Sequence, residues 1–199
     1  MTKIFTTLFA IVLTAAVLAQ SDTLIYRNDN TRGADKPFET LGFLSKTGAE
    51  VWIFGSNTKA SSLEIGKLWP VLGGRDGFLL VGGYAAYQPQ TQQIFAEPFA
   101  LGHLNRGRVR LAGVIGCYVP LNGGTQALFS DEIALTYHVG RKVRVGVAGS
   151  FWAQEGATPT YRFGPVVIVP LSDRMDLALR SQSSNKGTTT VRVELKLKF

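Results

Sequence analysis

Residues 20–199 predict an all-β protein, an antiparallel up-and-down barrel of twelve strands, with ten as the other count the pattern allows. Three observations predict it. Apolar and polar side chains alternate with period two through repeated segments of about ten residues. Tight turns and looser polar breaks take turns between those segments. After residue 19 there is no helical periodicity and no apolar run long enough for a membrane helix.

The elements follow in order. Residues 1–19, MTKIFTTLFAIVLTAAVLA, have a basic start at Lys3, an apolar stretch from Leu8 to Leu18, and Val17-x-Ala19 at the end. That pattern predicts a secretory signal peptide cleaved after Ala19, leaving one domain over 20–199. The first strand is TLIYRND (23–29), before the polar stretch NDNTRGADKP. Strands at 38–46, 50–56, 62–70, 77–87 and 93–103 come next. The last two are the least regular. Segment 77–87 is apolar on both faces, while 93–103 holds Pro98 and a Glu97 whose face the pattern leaves open; losing this pair would give ten strands.

From residue 108 the alternation is cleaner. Segment 108–119 sets Val109, Leu111, Ile115, Cys117 and Val119 against Arg108, Arg110, Ala112 and Gly116. Segment 126–139 sets Ile133, Leu135, Tyr137 and Val139 against Glu132, Ala134, Thr136 and His138. Segments 142–153 and 159–170 place Arg144 and Arg162 opposite valines and aromatics. In 174–182, Met175, Leu177 and Leu179 oppose Arg174, Asp176, Ala178 and Arg180. In 188–199, Val191, Val193, Leu195, Leu197 and Phe199 oppose Thr190, Arg192, Glu194, Lys196 and Lys198. The tight turns are GGRDG (73–77), NRGR (105–108), GRK (140–142) and SDR (172–174).

Such strands fit either a soluble sandwich with its oily face inside or a membrane barrel with its oily face outside. Three features favour the membrane. A lipid-embedded strand needs all its backbone groups paired, so a final strand closing on the first explains a chain that stops on Phe199 without a polar tail. Tyr137 and Phe199 fall near tight-turn ends while Phe151 and Tyr161 fall near loop ends, as two interfacial girdles would. Segment length suits a tilted strand crossing the hydrocarbon layer.

The last strand resembles that of bacterial outer-membrane β-barrel proteins, on Val191, Val193, Leu195, Leu197 and Phe199. The resemblance implies that these residues are the signal read by the barrel-assembly machinery. It also implies outer-membrane lipids and lipopolysaccharide as neighbours, periplasmic tight turns and external loops.

Charge then suggests what the barrel does. The chain is net +7, with mean hydropathy +0.11. Arg110, Arg144, Arg162, Arg180, Arg192 and Lys196 fall on the face opposite the apolar stripe, accompanied by Glu132, Asp176 and Glu194. A basic wall in a low-dielectric tube concentrates anions, so a small passive pore for small anionic solutes is expected. Inward Gly116, Gly146, Ala148, Gly164 and Ala178 would leave it room. The bland alternative is a polar core in which these cations pair with Glu64, Asp131, Glu132, Asp176 and Glu194, giving a structural or adhesive barrel.

Other chemistry has little support. The two histidines, His103 and His138, stand beside tight turns with no serine nearby, so a lipid hydrolase is the weaker alternative and no catalytic residue is assigned. No metal-ligand spacing and no cofactor motif is present, and Cys117 alone forms no intramolecular disulfide. GGRDG and NGG lack the following helix of a phosphate loop. Export with arginines interleaved on strands also argues against nucleic acid as a partner, despite the basic pI of about 9.7.

Overall fold

A computed structural model describes residues 21–32, 37–56, 59–140 and 142–199. The expected signal peptide, 1–19, lies outside these residues. Alternating side chains become twelve strands: β1 (Ser21–Thr31), β2 (Phe38–Ser45), β3 (Ala49–Ser56), β4 (Lys59–Gly74), β5 (Gly77–Gln88) and β6 (Gln93–Arg106). The second half adds β7 (Val109–Pro120), β8 (Ala127–Val139), β9 (Val143–Gln154), β10 (Thr160–Ser172), β11 (Met175–Ser184) and β12 (Thr189–Lys198). Each pairs antiparallel with its chain neighbours, and β12 pairs with β1 from Thr23↔Lys198 to Thr31↔Thr190. The ring is closed.

The count of ten does not hold. The irregular segments at 77–87 and 93–103 are full strands, paired with each other from Gly77↔Leu104 to Gln88↔Gln93. Alternation runs on through them, which sends Glu97 inward, where only 2% of it is exposed. Strand β4 outruns the expected 62–70. A register shift between Pro70 and Leu72 absorbs the proline, and pairing with β5 continues to Gly74↔Gly77.

The exterior has the composition that lipid requires. Leu111, Leu135, Leu179 and Val191 point outward and are 44–49% exposed. Tyr161 and Phe163 stand toward the loop end, with Trp69, Tyr137 and Phe199 toward the end that holds both termini. A belt of this breadth has no place in water, whereas a closed ring leaves no unpaired edge to lipid. The chain is a closed transmembrane β-barrel. Four of the tight turns sit at the terminal end, as Lys198 N–H donating to Arg174 O shows for the last of them.

Strand β8 breaks the alternation once. Its partners in β7 run Gly113↔Ile133 and then Gly116↔Phe129; those in β9 run Gly149↔Ile133 and then Phe151↔Ser130. Relative to both neighbours β8 has one extra residue between Phe129 and Ile133, a β-bulge. Ser130 is buried there and donates its hydroxyl to Val114 O at 2.5 Å. The bulge turns the consecutive Asp131 and Glu132 both toward the interior, a placement that period two forbids.

Glycines sit where strands approach closely. A Cβ on Gly164 would stand 1.8 Å from Ser181 O, and one on Gly146 would stand 2.0 Å from Leu135 O. Gly164→Val and Gly146→Val should each push neighbouring backbones apart and lower unfolding stability by ~1–3 kcal/mol. A drop in urea midpoint for detergent-folded barrels measures this, and Gly73→Ala, with open space around its Cβ, is the neutral control.

Candidate functional site

The interior contains a cavity of about 1030 Å³. Its walls differ according to which strands supply them.

Between β8 and the β1/β12/β11 side of the ring runs an ion-pair network. Arg192, on β12, is held in a bidentate pair by Asp29 on β1 (Nε–Oδ1 2.7 Å, Nη2–Oδ2 2.8 Å) and reaches Asp131 at 3.2 Å. Arg27, on β1, pairs with Glu194 at 2.6 Å and also with Asp131. Arg180, on β11, pairs with Glu132 at 2.6 Å and Glu194 at 3.5 Å. Because β8 is separated from β11 by β9 and β10, these bonds are a chord across the lumen. The bulge supplies one end of the chord, and the β1–β12 seam supplies the other.

Beneath the chord the wall is filled. Ala134, Ala148 and Val166 are 1–3% exposed and pack together with Ile168. Val166 is opposite Arg180 in the register, and Ala134 follows Glu132 by two positions. Of the small inward residues, Ala148 is part of this packed cluster, whereas Ala178, two positions before Arg180, borders the cavity.

The predicted cations divide into two groups. Arg180 and Arg192 are tied into the network. Arg110, Arg144, Arg162 and Lys196 line the cavity, and among the described residues none has a carboxylate at ion-pair distance. Of the predicted acids, Glu132 and Glu194 serve the network, and Asp176 pairs with Lys198 at 3.0 Å near the terminal end. Among the described residues Glu64 pairs with no cation; it accepts hydrogen bonds from Tyr118 (2.6 Å) and Ser62 (3.4 Å).

Strand-by-strand alternation missed several interior groups. Arg27 and Asp29 lie in the first strand, where polar residues occupy both faces toward its end and blur the pattern. Glu50 is buried in the lumen, bonded by Trp52 Nε1 (2.9 Å) and Tyr84 Oη (2.7 Å). Period two from Val51 and Ile53 could have placed it.

His103 and His138 both line the cavity. His103 packs edge-on against Phe78, ring centroids 4.3 Å apart, and its Nδ1 is buried without a partner. Among the described residues no hydrogen bond joins either histidine to a serine or a carboxylate, and no cluster of ligands could hold a metal ion.

Solved structures share this architecture. The KdgM porin, determined in complex with disordered oligogalacturonate, matches with a TM-score of 0.65 over 89% of this chain and 99% of its own, at 10% identity. The NanC porin matches with a TM-score of 0.67 over 88% and 100%, at 8% identity. Omp33 of Acinetobacter baumannii matches with a TM-score of 0.50 over 90% and 98%, at 10% identity. The fold is that of the outer-membrane porins. At the level of sequence, no family model and no curated protein matches the chain.

The two classes of arginine predict different phenotypes. Arg192→Gln removes one member of a buried network and leaves Asp29 and Asp131 undercompensated, so it should cost ~3–5 kcal/mol of stability. Arg110→Gln, with no ion partner among the described residues to strand, should leave the urea midpoint nearly unchanged. Parallel unfolding of the two variants in the same detergent measures the contrast.

Proposed function

We propose that this protein is a passive outer-membrane pore that favours small anionic solutes. One observation carries the reading: among the described residues, Arg110, Arg144 and Lys196 face the cavity as cations with no carboxylate at ion-pair distance. They lie toward the terminal end of β7, β9 and β12, so their fields add in one part of the lumen. Unpaired cations bounded by a low-dielectric wall attract anions more strongly than the same groups would in water. The shared fold of the KdgM porin, whose structure holds the anion oligogalacturonate, supports the same direction. Bonds like those of Arg180 and Arg192 contribute little here, since paired charges cancel at a distance.

In this reading the tight turns and both termini face the periplasm, and Val191, Val193, Leu195, Leu197 and Phe199 present the assembly signal to the barrel-assembly machinery. Lipids and lipopolysaccharide contact the outer belt. The domain is the processed 20–199 segment, and no cofactor or catalytic group takes part.

The transluminal network favours one other reading, a structural barrel whose lumen does not conduct. Planar-bilayer recordings separate the two. The pore predicts discrete conductance steps and a reversal potential in a KCl gradient that reports anion preference. Arg110→Gln/Arg144→Gln should lower the anion-to-cation permeability ratio at least about twofold while conductance steps persist. Folded protein that inserts yet stays silent in every salt would establish the structural barrel instead.

A further inference from the structure

The lumen holds a second feature that an anion pore does not use. Glu50, Glu64 and Glu97 come from β3, β4 and β6 and are 5%, 4% and 2% exposed. Among the described residues none of them has an ion pair. Each still faces the cavity. Glu97 and Glu64 are hydrogen-bonded to each other, while Glu97 Oε2 is buried and has no hydrogen-bond partner among the described residues. A buried carboxyl group in this situation needs a counter-charge or a proton.

Aromatic rings join the acids. Tyr84, the donor to Glu50, meets Phe99 edge-on at 5.2 Å. Phe99 lies 6.4 Å from Phe129, which stacks at 5.0 Å on Tyr118, the donor to Glu64. A chain of four rings thus runs from one carboxylate to another along the cavity wall. Ring faces attract cations, most strongly when water is excluded. The barrel already uses this chemistry, with the Arg27 guanidinium 5.4 Å from the centre of the Trp52 ring.

We propose that this wall is a binding site for an organic ammonium ion, held between the Glu64 and Glu97 carboxylates and the Phe99 and Tyr118 rings. A hard divalent metal fits poorly. Glu50 Oε2 and Glu64 Oε1 each already accept two hydrogen bonds, and the surrounding surface is carbon, whereas calcium takes 6–8 oxygens. An alkylated ammonium is weakly hydrated, carries its own apolar surface and needs few oxygen contacts. The site is independent of conductance, since it asks only that the cavity be reachable from one end.

Choline chloride is the probe, titrated into the detergent-folded full barrel and followed by tryptophan fluorescence. Trp52, bonded to Glu50, and Trp152, 6.0 Å from Phe129, flank the site as reporters. The expected result is a saturable signal change that NaCl at equal ionic strength does not produce. The uncharged isostere 3,3-dimethyl-1-butanol should bind at least about tenfold more weakly. Glu64→Gln/Glu97→Gln should abolish the choline response with the circular dichroism spectrum unchanged. Equal responses to choline and its isostere, or no saturable response in the unaltered barrel, would overturn the site and leave a proton as the companion of these acids. If the double variant does not fold, the isostere comparison on the unaltered protein decides alone.

Discussion

A strand in hydrocarbon cannot leave its backbone N–H and C=O groups open, and the pairing of β1 with β12 meets that constraint. Much of the interior depends on this seam. It brings Arg27 and Asp29, from the beginning of the chain, beside Arg192 and Glu194, from its end. Opposite charges thereby become register neighbours: Arg27 faces Glu194 and Asp29 faces Arg192. The pairing that closes the barrel also sets these buried charges side by side.

The bulge in β8 is the complementary half. Without the extra residue, only one of Asp131 and Glu132 could point inward, and the other would face hydrocarbon as an unpaired charge. With it, both acids extend to three arginines across the lumen. The cost of taking these ions out of water is offset by several direct contacts between opposite charges.

The cavity wall is polarised. Unpaired cations gather toward the terminal end, while acids and aromatic rings occupy the wall from β3 to β8. Such separation gives a solute different surroundings as it moves, instead of the uniform basic tube that lumen-facing arginines first suggest. A net charge of +7 conceals it, because composition sums over positions that the fold keeps apart.

What the sequence determined by itself was the barrel, its strand positions and the inward face of nearly every strand from residue 108 onward. Period-two alternation is a local property that survives in any environment, so the pattern alone assigns Arg110, Arg144, Arg162, Arg180, Arg192 and Lys196 to the interior. Only the tertiary structure decided which of these cations are neutralised, because pairing depends on strands distant in sequence and adjacent across the lumen. It also decided the roles of Asp131, Glu50 and Glu97. A one-residue bulge flips the local phase, and the company a buried carboxylate keeps is set by the opposite wall, which no pattern along a single strand can contain.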